Sequence, residues 1–150
     1  MKRSTFLTSA VASLSLAALT PALAVAAPAG AAETVASCGN SALQSGLSTR
    51  LCAEVTGNTV AFVGKVSLAG PPSPGSPAPA PKELTTTFTA TVDGTPLANV
   101  TKYAHFTNTN LDVAGLSANV ACGSTIRATF GVASFPWTAR PVSHEVTVTC

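Results

Sequence analysis

The sequence predicts an all-β protein: an immunoglobulin-like β-sandwich of about seven antiparallel strands braced by two disulfides. Three observations carry this expectation. Thr and Val together supply 31 of the residues from 33 to 150, whereas Lys, Gln and Met, which favour helices, supply four; β-branched side chains suit a pleated, half-buried surface. Apolar and polar residues alternate with period two in four separate stretches. Cys38, Cys52, Cys122 and Cys150 are even in number and match no common zinc spacing.

The chain opens with Lys2 and Arg3, an apolar run over residues 6–19, then Thr20-Pro21 and sites of the A-x-A kind. That order is the order of a secretory signal peptide, with cleavage expected between residues 24 and 32. The apolar run of about 14 residues is shorter than the roughly 20 that cross a bilayer, so stable membrane insertion is not expected. Val35-Ala36-Ser37-Cys38 loosely resembles a lipobox, but Pro28, Gly30 and Glu33 separate it from the apolar run, and lipidation would leave an odd number of cysteines. The expectation is a secreted chain whose residues 33–150 form a single domain.

Residues 41–51 place Leu43, Leu47 and Leu51 at helical spacing, interrupted by Gly46; a single turn is expected there. Residues 51–56 read as a strand. Gly57-Asn58 then forms a two-residue hairpin signal before a strand in which Val60, Phe62, Val66 and Leu68 share one face. In 84–92, Leu84, Phe88, Ala90 and Val92 oppose Thr85, Thr87, Thr89 and Thr91, and Asp93-Gly94 supplies the next turn. A strand at 100–106 and a short one at 111–113 follow. The last two strands are 125–132, with Ile126, Ala128, Phe130 and Val132 on one face, and 142–150. Short strands at this density read as an immunoglobulin-like sandwich, with a closed barrel as the alternative.

Four cysteines allow three pairings, and 38 with 52 and 122 with 150 is preferred. Cys52 lies on the less apolar face of its strand, within easy reach of Cys38, while Cys122 leads into the strand preceding that of Cys150. The chain-entropy model assigns about 3 to 4 kcal/mol to loops of these sizes.

Between the second and third predicted strands lies a proline-rich loop at 69–83, with six prolines in the eleven residues from 71 to 81. Too little chain precedes it for an independent domain, since units below about 40 residues seldom fold alone. As polyproline II it would stretch about 34 Å and join strands of different sheets. It reads either as a solvated spacer or as a preformed ligand for an aromatic groove.

Charge excludes some functions. Beyond residue 32, Arg50, Lys65, Lys82, Lys102, Arg127 and Arg140 balance Glu33, Glu54, Glu83, Asp93, Asp112 and Glu145. No basic patch is available for nucleic acid. The chemistry-bearing residues are sparse. His105 and His144 fall within predicted strands, and there is no G-x-S-x-G motif to present a nucleophile. His144 shares parity with Val142 and Val146, which reads as a satisfied, partly buried histidine, a pH-sensitive role being the alternative. Asn108-x-Asn110-x-Asp112 has alternating oxygens but lacks the glycine and glutamate of a calcium loop, so a polar turn is expected. No enzyme, metal or cofactor is therefore expected.

The most distinctive cluster is SFPWTARP, residues 134–141, between the last two strands. It holds the sole tryptophan, two prolines and Arg140. Phe135, Trp137 and Arg140 are the candidate binding residues, because tryptophan and arginine dominate binding hot spots. The alternative is that Trp137 caps the open end of the sandwich. The functional expectation is a small secreted, non-catalytic module that binds an extracellular protein or surface; its alternative is an inhibitor of an extracellular hydrolase acting through residues 135–141.

Overall fold

The computed structural model describes residues 33–150 apart from Ser76, Ala78 and Asn108. The expected signal peptide lies outside the described residues. Nine strands form two antiparallel sheets: β1 (Thr34–Cys38), β2 (Ala42–Gln44), β3 (Leu47–Thr56), β4 (Thr59–Leu68), β5 (Lys82–Val92), β6 (Thr95–Phe106), β7 (Asn110–Asn119), β8 (Thr125–Ala133) and β9 (Val142–Thr147). One sheet has the order β1-β3-β4-β7, with β2 following β1 along the same edge of β3; the other has the order β6-β5-β8-β9.

The alternation seen in the sequence sets the inward faces. Leu47, Leu51, Ala53 and Val55 of β3, Val60, Phe62 and Val66 of β4, and Leu84, Phe88 and Ala90 of β5 meet Ile126, Ala128, Phe130 and Val132 of β8 in a continuous core. Phe88 and Phe130 pack across the centre with ring centroids 4.7 Å apart. Burying each such side chain is worth about 1.5–3 kcal/mol.

Both predicted two-residue turns are present. Thr56 pairs with Thr59 across Gly57-Asn58, and Val92 pairs with Thr95 across Asp93-Gly94. Asp93 and Gly94 both take positive φ, at 49° and 81°, which matches the right-handed twist of the flanking strands. Both preferred disulfides are formed. Cys38 and Cys52 are directly opposed in the β1–β3 register, so Cys38 serves a bridge and not a lipid anchor. Cys122–Cys150 ties the β7–β8 connection to the segment that follows β9.

The structure corrects four element assignments. Among the described residues nine strands are present where about seven are expected. Residues 41–51 hold no helical turn but a β-hairpin: Ser45 (φ 51°) and Gly46 (φ 75°) reverse the chain between β2 and β3. Leu47 and Leu51, four apart, fall on one face of a strand as readily as on one face of a helix, which is why the spacing misleads. β7 runs for ten residues, not three. Ala61 opposes Ser117 and Val63 opposes Ala114, so Gly115 and Leu116 face Phe62 in a β-bulge, and the extra residue breaks the period-two pattern. Finally, β9 ends at Thr147 instead of residue 150, leaving Cys150 beyond the strand.

The stretch from Ala69 to Pro81 carries the chain from β4 in one sheet to β5 in the other, and its described residues are all exposed or nearly so. It reaches β5 at the same end of the sandwich where the β2–β3 turn and the β8–β9 loop lie.

Candidate functional site

The β8–β9 loop begins with a tight turn. The Ser134 N–H donates to the Trp137 carbonyl (3.2 Å) and the Trp137 N–H donates to the Ser134 carbonyl (2.7 Å). The Phe135–Pro136 peptide is cis. The loop then folds back over the outer face of β8, with Ala139 and Pro141 lying above Gly131. A Cβ at Gly131 would come within 2.6 Å of Thr87 Oγ1 and 3.2 Å of Ala139 Cβ, so glycine is what allows this close approach.

Gln44 anchors the loop, although nothing in the sequence marks it. It is 2% exposed. Its Oε1 accepts the N–H groups of Val132 (2.9 Å) and Arg140 (3.1 Å), and its Nε2 donates to the Phe130 carbonyl (3.1 Å) and to Thr49 Oγ1 (2.7 Å). Thr49 Oγ1 passes the chain on to the Ala42 carbonyl (3.0 Å), and Ser45 Oγ donates to the Val132 carbonyl (3.2 Å). Both donors and both lone pairs of the amide are engaged, which a buried amide requires. Lys82 Nζ donates to the Ser45 carbonyl (3.1 Å), bringing the start of β5 into the same cluster. The β2–β3 turn, β5 and the β8–β9 loop are thereby held together.

On this anchored base the aromatic side chains stand in solvent. Phe135 is 99% exposed and Trp137 66%, so Trp137 does not cap the sandwich. Phe106, Leu84 and Gln44 are themselves buried, at 1–2% exposure, while the indole stays outside. Among the described residues the exposed large hydrophobics are Val35, Leu43, Leu97, Tyr103, Phe135 and Trp137, and four of these six flank the turn. A groove of about 490 Å³ runs beside Leu43, Lys82, Trp137 and Arg140. A second, of about 380 Å³, lies between Tyr103 and Phe135 over a floor that includes Thr85 and Ala133, with Glu83 and His105 at its side. A third, of about 350 Å³, joins them, lined by Pro81, Phe135 and Trp137. Shared lining residues make the three one strip. Of the candidate residues, Phe135, Trp137 and Arg140 all lie on it; Tyr103 is an addition that strand parity alone could have exposed, and Leu43 one that the hidden β2–β3 hairpin conceals.

The other candidates scatter. His105 is exposed on β6, whereas His144 is half-buried with Nε2 2.8 Å from Ser37 Oγ of β1. In the Asn108-x-Asn110-x-Asp112 stretch, Asn108 lies outside the described residues. Asp112 pairs with Lys65 at 2.9 Å, and Asn110 Nδ2 donates to Thr109 Oγ1 (3.4 Å), so Asn110 and Asp112 belong to strand β7 rather than to a turn. Among the described residues no group of three His, Cys, Asp or Glu side chains converges. Asp93 accepts the Thr125 N–H at 2.9 Å; that bond, helped by the Ser124 side chain, holds its carboxyl below the usual aspartate range. No helix among the described residues is long and apolar enough to cross a membrane.

The chain matches no protein-family model, no curated protein and no solved structure. Its functional reading therefore rests on the strip itself.

Proposed function

We propose that this protein is a small secreted, non-catalytic binding module of immunoglobulin-like architecture, and that its contact surface is the strip formed by Tyr103, Phe135, Trp137, Arg140 and Leu43. The strand order supports the architecture: β3-β4-β7 facing β6-β5-β8-β9 follows the A-B-E and C′-C-F-G arrangement of such sandwiches. Two disulfides in so small a β protein support an oxidising, extracellular setting.

One observation carries the binding reading. The only tryptophan stands exposed with Phe135 on a loop whose base is fixed by a fully satisfied buried amide, and the only tyrosine stands exposed on β6 across a groove from Phe135. Exposed aromatic rings cost solubility and contribute nothing to the core, and contiguous apolar patches of this kind mark interaction surfaces. A rigid base also reduces the entropy lost on binding.

The test is capture from native culture supernatant on immobilised protein, repeated with Trp137→Ala. The variant should lose the partner while its stability in urea stays within about 0.5 kcal/mol of wild type, as expected for an exposed side chain. Unchanged capture would reject the strip as the contact surface. A second reading, inhibition of an extracellular hydrolase, draws on the full exposure of Phe135 at the tip of a closed turn, the form of a loop that enters a cleft. Inhibition of a protease to which the protein is itself resistant, abolished in Phe135→Ala, separates the two.

A further inference from the structure

We infer that the strip recognises a polyproline II segment, and that its occupant is the proline segment 71–81 of a second copy of this chain. This rests on the strip being the contact surface, as proposed above, and adds the chemistry and identity of what it contacts.

The chemistry is complementary on two counts. A polyproline II segment has no internal hydrogen bonds, and each proline lacks an N–H, so its polar groups are predominantly carbonyl acceptors. The strip offers the matching donors: the Tyr103 hydroxyl, the Trp137 indole N–H, the Arg140 guanidinium and the Ser134 hydroxyl. Glu83 is the one carboxylate along its walls. Aromatic side chains standing apart over a floor of small residues form the kind of groove into which proline rings dock, as Tyr103 and Phe135 do over Thr85 and Ala133. Each proline ring fixes its own φ near the polyproline II value, which limits the order lost on docking to the residues between the prolines, Gly75 above all.

The identity of the occupant follows from what the chain carries and where it carries it. Six of its prolines fall within residues 71–81. All of these are exposed, while Phe135 of the same chain is 99% exposed, so the segment does not cover its own strip. Yet Pro81, where the segment ends, lines the same groove as Phe135 and Trp137. Ligand and receptor therefore emerge side by side on one end of the sandwich. In a two-fold pair residue i of one copy meets residue j of the other and the reverse. A segment rooted beside its own strip can cross to the partner's strip while the partner's segment crosses back, and both contacts then share one interface. Gly75 takes positive φ (80°) and turns the segment, so docking requires it to open toward polyproline II, in which eleven residues would reach about 34 Å, long enough for that crossing.

The experiment combines sedimentation with the emission of Trp137, the chain's only tryptophan. Wild type should associate reversibly to a dimer as concentration rises toward about 1 mM. Trp137→Ala, Phe135→Ala and a variant with Pro71, Pro72, Pro74, Pro77 and Pro79 all changed to Ala should each weaken association by about tenfold or more. None of these positions is in a strand or in the core, so the fold is retained. A synthetic peptide with the sequence of residues 70–82, titrated into the proline-depleted variant, should shift Trp137 emission saturably; the same peptide with alanine for proline should not. The inference is overturned if wild type remains monomeric at about 1 mM, if association survives Trp137→Ala undiminished, or if the peptide leaves the emission unchanged. A monomer whose Trp137→Ala variant still loses its supernatant partner overturns self-recognition alone and leaves the strip standing as a contact surface for something else.

Discussion

The two ends of the sandwich close the same core by different means. At one end the strands are joined by Gly57-Asn58 and Asp93-Gly94, the shortest connections available, and the β7–β8 connection is tied down by Cys122–Cys150. Backbone bonds finish the closure: the Gly123 N–H donates to the Val148 carbonyl (2.7 Å) and the Val148 N–H donates to the Ser124 carbonyl (3.0 Å). At the other end two connections are long, 69–81 between β4 and β5 and 134–141 between β8 and β9, beside the two-residue β2–β3 turn. No disulfide holds them. One buried amide, Gln44, gathers the second of these loops onto the fold, and the described residues of the first are exposed.

The difference shows how a small domain can keep a binding surface. Short turns and a covalent tie leave little room for side chains beyond the sheets, and the hairpin end shows only Val35 and Leu97 as exposed large hydrophobics among the described residues. The loop end has backbone to spare. That backbone must have its polar groups satisfied, and at Arg140 the Gln44 amide does so, fixing the loop through its backbone rather than through its side chains. Gln44 is buried and holds the loop at Arg140, while Phe135 and Trp137 on the same loop stay exposed.

The contrast is broken most severely at Gln44. Gln44→Ala strips partners from the Val132 and Arg140 N–H groups, the Phe130 carbonyl and the Thr49 hydroxyl, and leaves a cavity besides. The expected loss is about 4 kcal/mol in urea unfolding. Hydrogen exchange should accelerate first at the Val132 and Arg140 amides, while those of Gly123 and Val148 keep their protection. Equal acceleration at both ends would deny that the amide acts locally.

Cys122→Ser with Cys150→Ser is the matching change at the hairpin end. Both cysteines are exposed, so little packing is lost, and removing a closure across 28 residues is expected to cost about 3.5 kcal/mol. Here the Gly123 and Val148 amides should lose protection and the strip should still bind. A loss of binding equal to that of Trp137→Ala would show that the ends are coupled.

The smallest expected effect is at Asp93. Its carboxyl is held below the usual aspartate range in the fold, so it stabilises the protein above the unfolded value and that contribution drains away as the pH falls through the depressed folded value. Asp93→Asn keeps an oxygen for the Thr125 N–H and tolerates the left-handed backbone, but carries no charge. The gap in urea midpoint between wild type and variant should be present at neutral pH and shrink below about 3.9. A gap independent of pH would assign the role to geometry alone.

How far the sequence could be read follows from the range of the forces involved. Period-two alternation and the two-residue turns are decided within a few residues, so the core faces of β4, β5 and β8 are legible in the order of side chains alone. Phe135, Trp137 and Arg140 stand out by residue type and loop position. The full length of β7 is hidden because one bulged residue erases the alternation, and the β2–β3 hairpin is hidden because leucines four apart suit a helix and a strand alike.

Strand-forming composition, the inward faces of β4, β5 and β8 and the turns at 57–58 and 93–94 are thus set by the sequence itself, through steric and hydrophobic preferences that act locally, whereas the bridges span 14 and 28 residues and are closed by the fold. Only the tertiary structure decided that Gln44 is buried while Trp137 is not. A polar side chain goes inside only when unpaired backbone groups from distant strands converge on it, and the carbonyl of Phe130 and the N–H groups of Val132 and Arg140 do so, 86 to 96 residues away along the chain.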